Sequence, residues 1–251
     1  MIEDSRIYHR FPLASPRLCL LSDNGITIGP ISEISYGGFA IVLNDEQLNK
    51  WKKISKKKPT EHGQFFQLTF LNKTVFCYAD ERYQWENKIG FQLSHEQTEV
   101  LCFLKEIIPW VRAGAALGCL NRLESEGLTK ELPEYLAFDG PIPVEIDWTG
   151  LDSNKTPNFT ITFKQDKVLY RLVKNNKTLT TEHNVWPGAE SGALRPTHLL
   201  DDMICRNGLS ILSGLASESD SALLVQTIEQ TLDIYQNIKG QAVYLEDQKA
   251  S

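Results

Sequence analysis

Between residues 17 and 93, apolar positions fall in short runs separated by turn residues. Residues 17–22 are rich in apolar side chains and run into Asp23-Asn24-Gly25. Asn-Gly is a strong hairpin signal, because both residues of a tight primed turn take positive φ. Ile26, Ile28, Ile31 and Ile34 follow, around Gly29-Pro30. Pro30 cannot donate to a ladder and so predicts an edge position or a bulge. Residues 38–43, GFAIVL, form the most strand-like run, and segments 65–70, 74–78 and 89–93 complete the series. The polar turn around Glu86-Asn87-Lys88 divides the last two. Six short strands at this spacing predict a small antiparallel barrel.

At Ser94 the period changes. Ser94 and Gln97 predict a capping box, and Val100, Leu101, Leu104, Ile107 and Ile108 recur at helical spacing. Pro109 predicts a kink or an end. A second helical stretch, 111–123, stops near Gly127. Gly114 and Gly118 make a GxxxG pair, read as close packing of a soluble helix because no apolar 20-mer surrounds them. From about residue 133 the pattern is strands again, at 144–148, 159–163, 167–172 and 178–181. Turns are expected at Gln165-Asp166 and Asn175-Asn176, and a loop over 186–192. Two helices, about 197–215 and 219–239, close the chain, with Leu224, Ile228, Leu232, Tyr235 and Ile238 as one apolar stripe. The tail after Gly240 is expected to be loose.

The expected fold class is therefore mainly β plus α+β. Residues 1–112 form a six-stranded antiparallel barrel with a closing helix, and 113–132 a helical linker. Residues 133–251 form an α+β domain, an antiparallel sheet followed by two helices, expected to act as an output or interaction module.

Charge and composition narrow the function. A net charge of −6 and a pI near 5.5 argue against a general nucleic-acid coat, which needs a basic surface. Lys52, Lys53, Lys56, Lys57 and Lys58 crowd one stretch, read as a solvated loop between strands. The five cysteines, Cys19, Cys77, Cys102, Cys119 and Cys205, contain no CxxC pair and suggest free thiols in a reducing compartment. The acidic, polar start carries no secretory h-region, and no apolar run reaches the ~20 residues of a membrane span. The expected location is the cytoplasm. Ser191 sits in Gly188-Ala-Glu-Ser-Gly192, which misses the spacing of a nucleophile elbow. His9, His62, His95, His183 and His198 form no metal-ligand motif. The five tryptophans, at 51, 85, 110, 148 and 186, are scattered and read as packing residues. No catalytic residue, metal or cofactor is expected, and the chain reads as a non-enzyme.

Two short motifs carry chemistry. Arg6-Ile7-Tyr8-His9-Arg10 is an RxxxR just ahead of Pro12, so an extended segment is expected there. Glu33-Ile34-Ser35-Tyr36-Gly37-Gly38 is an ExSxxG between two expected strands. A guanidinium grips phosphate, or the O6 and N7 edge of guanine, in two-point fashion, and it also stacks on a base. A carboxylate, a hydroxyl and a close-approach glycine suit the opposite side of such a ligand.

RxxxR, a strand, a hairpin turn, a second strand, ExSxxG, then four more strands and a helix together resemble the PilZ family over about residues 5–112. The resemblance includes RIYHR, EISYGG and KIGFQL followed by a helix. It implies a receptor for the bacterial second messenger cyclic di-GMP. Arg6 and Arg10 would hold phosphate and guanine, and Ser35 and Gly38 would complete the pocket. His9, inside the strap, is a further candidate ligand contact, with a spacer role as its alternative. Glu33 stands where the family has Asp or Asn. The extra methylene implies a loss of about 1–3 kcal/mol in binding, roughly 5- to 150-fold. Some family members bind no nucleotide and act as adaptors, which is the alternative. Besides the nucleotide, an unidentified protein partner is expected; nucleic acid is not, and a homodimer is left open.

Overall fold

The computed structural model describes residues 10–14, 18–54, 63–71, 73–94, 97–125, 144–151, 156–165, 168–184, 194–197, 200–219 and 222–250. The strand β1 (Phe11–Pro12) is followed by β2 (Cys19–Ser22), β3 (Thr27–Ser35) and β4 (Gly38–Val42). After the helix α1 (Asp45–Ile54) come β5 (Gln64–Phe70), β6 (Lys73–Trp85) and β7 (Lys88–Leu93). The antiparallel order β3-β2-β5-β6-β7-β4 closes when β4 pairs back onto β3, giving a six-stranded barrel. The opposite edge of β3 carries β2 at one end and β1 at the other. Inward positions fill the barrel with Phe39, Ile41, Phe66, Leu68, Ile89 and Phe91, all fully buried.

Several local features differ from the sequence expectation. The turn after β2 is a three-residue loop, Asp23-Asn24-Gly25, in which only Gly25 has positive φ (78°). The extra residue is absorbed by a bulge between Leu20 and Leu21. Part of the lysine stretch is not a loop: Trp51–Ile54 belongs to α1, and Trp51 is buried between Phe66 and Phe91. Its N-terminus is a reciprocal box, with Gln47 N donating to Asn44 Oδ1 at 2.9 Å and Asn44 N donating to Gln47 Oε1 at 3.0 Å. The remaining lysines, 56–58, lie outside the described residues. Strand β6 also runs on to Trp85, past the apolar alternation that ends at Ala79, because its polar second half ladders onto β7.

The helix α2 (Thr98–Ser125) is continuous through Pro109. Its first turns cover the barrel with Val100, Phe103, Leu104 and Ile107, and its later turns pack on α3 (Asp202–Ser219). A Cβ on Gly114 would lie 1.8 Å from the Ile211 carbonyl oxygen, and one on Gly214 would lie 1.9 Å from that of Val111. The two helices therefore touch backbone to backbone, and this tertiary packing carries α2 past Pro109, where an end was the alternative to a kink. At the expected capping box the Gln97 amide reaches back to Ser94 O at 2.8 Å. Gln97 also clamps β6, accepting from Tyr78 N at 2.6 Å and donating to Tyr78 O at 2.7 Å.

The second unit is an antiparallel sheet ordered β12-β11-β10-β9-β8. Its strands are β8 (Val144–Leu151), β9 (Pro157–Gln165), β10 (Val168–Asn175), β11 (Thr178–Asn184) and β12 (Leu194–Pro196). Phe159, Ile161, Phe163 and Leu172 form its buried face. Against it lie α3, started by Asp201 Oδ1 accepting from Met203 N and Ile204 N, and α4 (Ala222–Ala250). Ile228, Leu232 and Tyr235 of the α4 stripe are fully buried. The helix continues beyond Gly240, where a loose tail was expected, because residues 241–250 contain good helix formers and no proline. The expected loop 186–192, with Ser191, lies outside the described residues. The described chain is thus a closed barrel, a second antiparallel sheet and four helices. No helix among the described residues is long and apolar enough to cross a membrane.

Candidate functional site

The antiparallel registers align one lateral row across the barrel: Pro12, Glu33, Ala40, Gly90 and Tyr83. Neighbours Phe39, Ile41, Ile89 and Phe91 point inward, so this row lies on the outer face. Ala40 and Gly90 at its centre leave a shallow trough between Glu33 and Tyr83. These flanking residues are three strand steps apart, about 14 Å along the sheet at ordinary strand spacing.

Arg10, just ahead of β1, crosses that trough. Its Nη1 donates to Tyr83 Oη at 2.6 Å and lies 3.5 Å from Glu33 Oε2. The guanidinium carbon is 5.4 Å from the centre of the Tyr83 ring, within cation–π range. Lys88, two residues before Gly90 and on the same face, donates to Glu33 Oε1. One carboxylate thus holds two cations, and the Arg10 side chain is only 12% exposed.

Gly90 makes room for Tyr83. A Cβ there would lie 2.0 Å from the ring, so the ring packs directly over the glycine. A bulge between Glu81 and Tyr83 turns the ring toward the trough.

Ser35 and Gly38 flank the two-residue turn between β3 and β4. Ser35 is buried and its Oγ donates to Gly38 O at 3.0 Å. The turn is tied to β7 by Leu93 N donating to Gly37 O at 3.0 Å. A Cβ on Gly38 would lie 2.1 Å from Phe91 O, so only glycine permits that strand approach.

The structure therefore brings Arg10 onto Glu33, with Ser35 and Gly38 farther along the same hairpin. Arg6 and His9 lie outside the described residues. Tyr83, Lys88 and Gly90 were not singled out from the sequence. Lys88 and Gly90 carry the alternation that puts them on one face, but their partner across β4 depends on register. Among the described residues, no three His, Cys, Asp or Glu side chains gather in a metal-binding arrangement.

No protein-family model matches the sequence, and no curated protein matches it.

Proposed function

We propose that the chain is a cyclic di-GMP receptor that relays nucleotide level to a protein partner through its second unit. The observation that carries this proposal is the meeting of the two motifs: Arg10 of RxxxR lies on Glu33 of ExSxxG, over a row where Ala40 and Gly90 carry no bulky side chain. In the bound state Arg10 exchanges Glu33 for a phosphate oxygen, a charge-assisted pair of the same kind. Arg6, from the same strap, adds the second cation. Glu33 is then free to accept from the guanine N1–H and N2–H₂ edge.

A route to the second unit starts two residues away. Ala14 N donates to Ser213 O of α3 at 3.0 Å, and Ser217 Oγ lies 3.0 Å from Pro12 O. A strap that tightens on a ligand pulls on α3 through these contacts. Titration calorimetry with cyclic di-GMP tests the receptor directly. Wild type is expected to bind and Arg10→Ala to lose most of the heat; equal heats for the two reject the proposal.

One observation favours an adaptor that binds no nucleotide. Glu33 already satisfies both Arg10 and Lys88, so the site is charge-paired without a ligand. A protein partner captured equally with and without nucleotide supports this second reading.

A further inference from the structure

Where α2, β9 and α3 meet, the surface sinks into a cavity of about 520 Å³ that shares no residue with the barrel site. Its size falls in the range of small-molecule sites. Each element contributes one cation: Lys105 from α2, Lys164 from β9 and Arg206 from α3. The chain as a whole carries a net charge of −6, so this concentration runs against its average. The one acid in the lining, Glu106, is engaged elsewhere, since Lys73 Nζ lies 2.7 Å from both of its carboxylate oxygens. Lys105, Lys164 and Arg206 make no side-chain hydrogen bond or ion pair with other described residues. Like charges gathered around one hollow repel, and a multivalent anion would relieve that repulsion.

The rest of the lining suits an organic anion. Trp110 is 5% exposed and fixed edge-on against Phe163 at 4.9 Å, which gives the cavity a rigid apolar wall. Asn207, also 5% exposed, donates its amide to Met203 Sδ at 3.1 Å. A thioether is a weak acceptor, so a ligand oxygen would be a stronger partner for that amide.

We propose that this cavity is a second ligand site, for a small phosphorylated molecule carrying two or more negative charges. The phosphate sits among Lys105, Lys164 and Arg206, and the remainder lies along Trp110 within reach of Asn207. Because the cations come from three different elements, the bound anion holds the two helices and the sheet together. Occupancy should therefore show as a raised melting temperature.

The test is a melting series with pyrophosphate, ribose 5-phosphate and adenosine triphosphate at matched ionic strength, followed by calorimetry. At a hundredfold excess over Kd, at least one probe is expected to raise the melting temperature by about 5 °C or more. Pyrophosphate alone acting marks a bare diphosphate site; the organic phosphates acting marks use of the Trp110 wall. The double variant Lys164→Ala/Arg206→Ala is expected to bind at least tenfold more weakly. Lys164→Ala alone is expected to weaken binding as well, and its exposed position keeps the fold intact. Arg10→Ala is expected to bind the probes as wild type does. The proposal is overturned if no probe shifts the melting curve. It is equally overturned if the double variant binds as tightly as wild type, or if binding disappears in Arg10→Ala instead.

Discussion

Glu33 reaches two cations on different segments, Arg10 and Lys88, and its side chain is long enough to hold both. Aspartate, one methylene shorter, would keep the negative charge but retreat from that double contact. In the proposed receptor, retreat lowers the cost of releasing Arg10 to a phosphate. Glu33→Asp is therefore expected to tighten cyclic di-GMP binding by about 5- to 150-fold, the equivalent of about 1–3 kcal/mol. Calorimetry on the two proteins checks this, and equal or weaker binding by the Asp variant counts against a guarding role for Glu33. Motif spacing made Arg10, Glu33, Ser35 and Gly38 legible as a group, because each lies close in sequence to a recognisable strand or turn. Tyr83 stayed hidden because its place depends on a bulge in β6 and on Gly90 two strands from Ala40's far neighbour, Glu33.

Cysteine chemistry is a second matter settled residue by residue. Cys77 is buried between the barrel walls, and burial pushes its thiol up from its ordinary value of 9.0 to about 12. Cys205 moves in the same direction, again through burial and then through nearby Asp202 and Asp201. The raised value means the folded chain keeps its Cys77 proton where the unfolded chain has lost it. Below about pH 9 this linkage adds no slope to stability, and between about pH 9 and pH 12 it makes stability fall as pH rises. Urea titrations from pH 7 to 11 are expected to show a shallower alkaline decline for Cys77→Ala than for wild type. At pH 8, iodoacetamide is expected to label exposed Cys102 and to spare Cys77.

Among elements, the crossing of α2 with α3 depends most narrowly on residue size. Gly114 and Gly214 each face the other helix's carbonyl oxygen at distances no Cβ tolerates. Gly214→Ala must push the helices apart. In an exposed helix the same change is stabilising by about 1 kcal/mol; here overpacking is expected to reverse the sign and cost about 1–3 kcal/mol. Denaturant midpoints of the two proteins decide the sign. Element legibility followed the same physics. Strand alternation in β2 and β5 reflects one buried and one wetter face, so it could be read locally. Helix α1 could not, because its lysines dominated the composition, although Asn44 and Gln47 carried a capping signal. The continuity of α2 through Pro109 depends on α3, some 90 residues later in the chain, and no local pattern encodes that.

At the level of the whole molecule, the segment 10–14 belongs to both units at once. Phe11 and Pro12 ladder onto β3 of the barrel, while Ala14 N and Pro12 O meet Ser213 and Ser217 of α3. The Ser217 hydroxyl also lies 2.7 Å from Gly214 O, so its single proton is shared and the Pro12 contact is the weaker of its two bonds. The backbone bond from Ala14 therefore carries most of the linkage. Arg10 lies four residues from that bond, and a ligand that fixes Arg10 restricts the opening motions of the whole segment. Restriction on one side of a shared hydrogen bond lowers opening on the other. Hydrogen exchange with and without cyclic di-GMP is expected to show added protection in β1 and β3 together with α3. Arg10→Ala is expected to lose the protection in both places, and Ser217→Ala to retain it because the Ala14 bond remains. Protection confined to the barrel, with α3 unchanged, would leave the receptor intact but remove this path as its output.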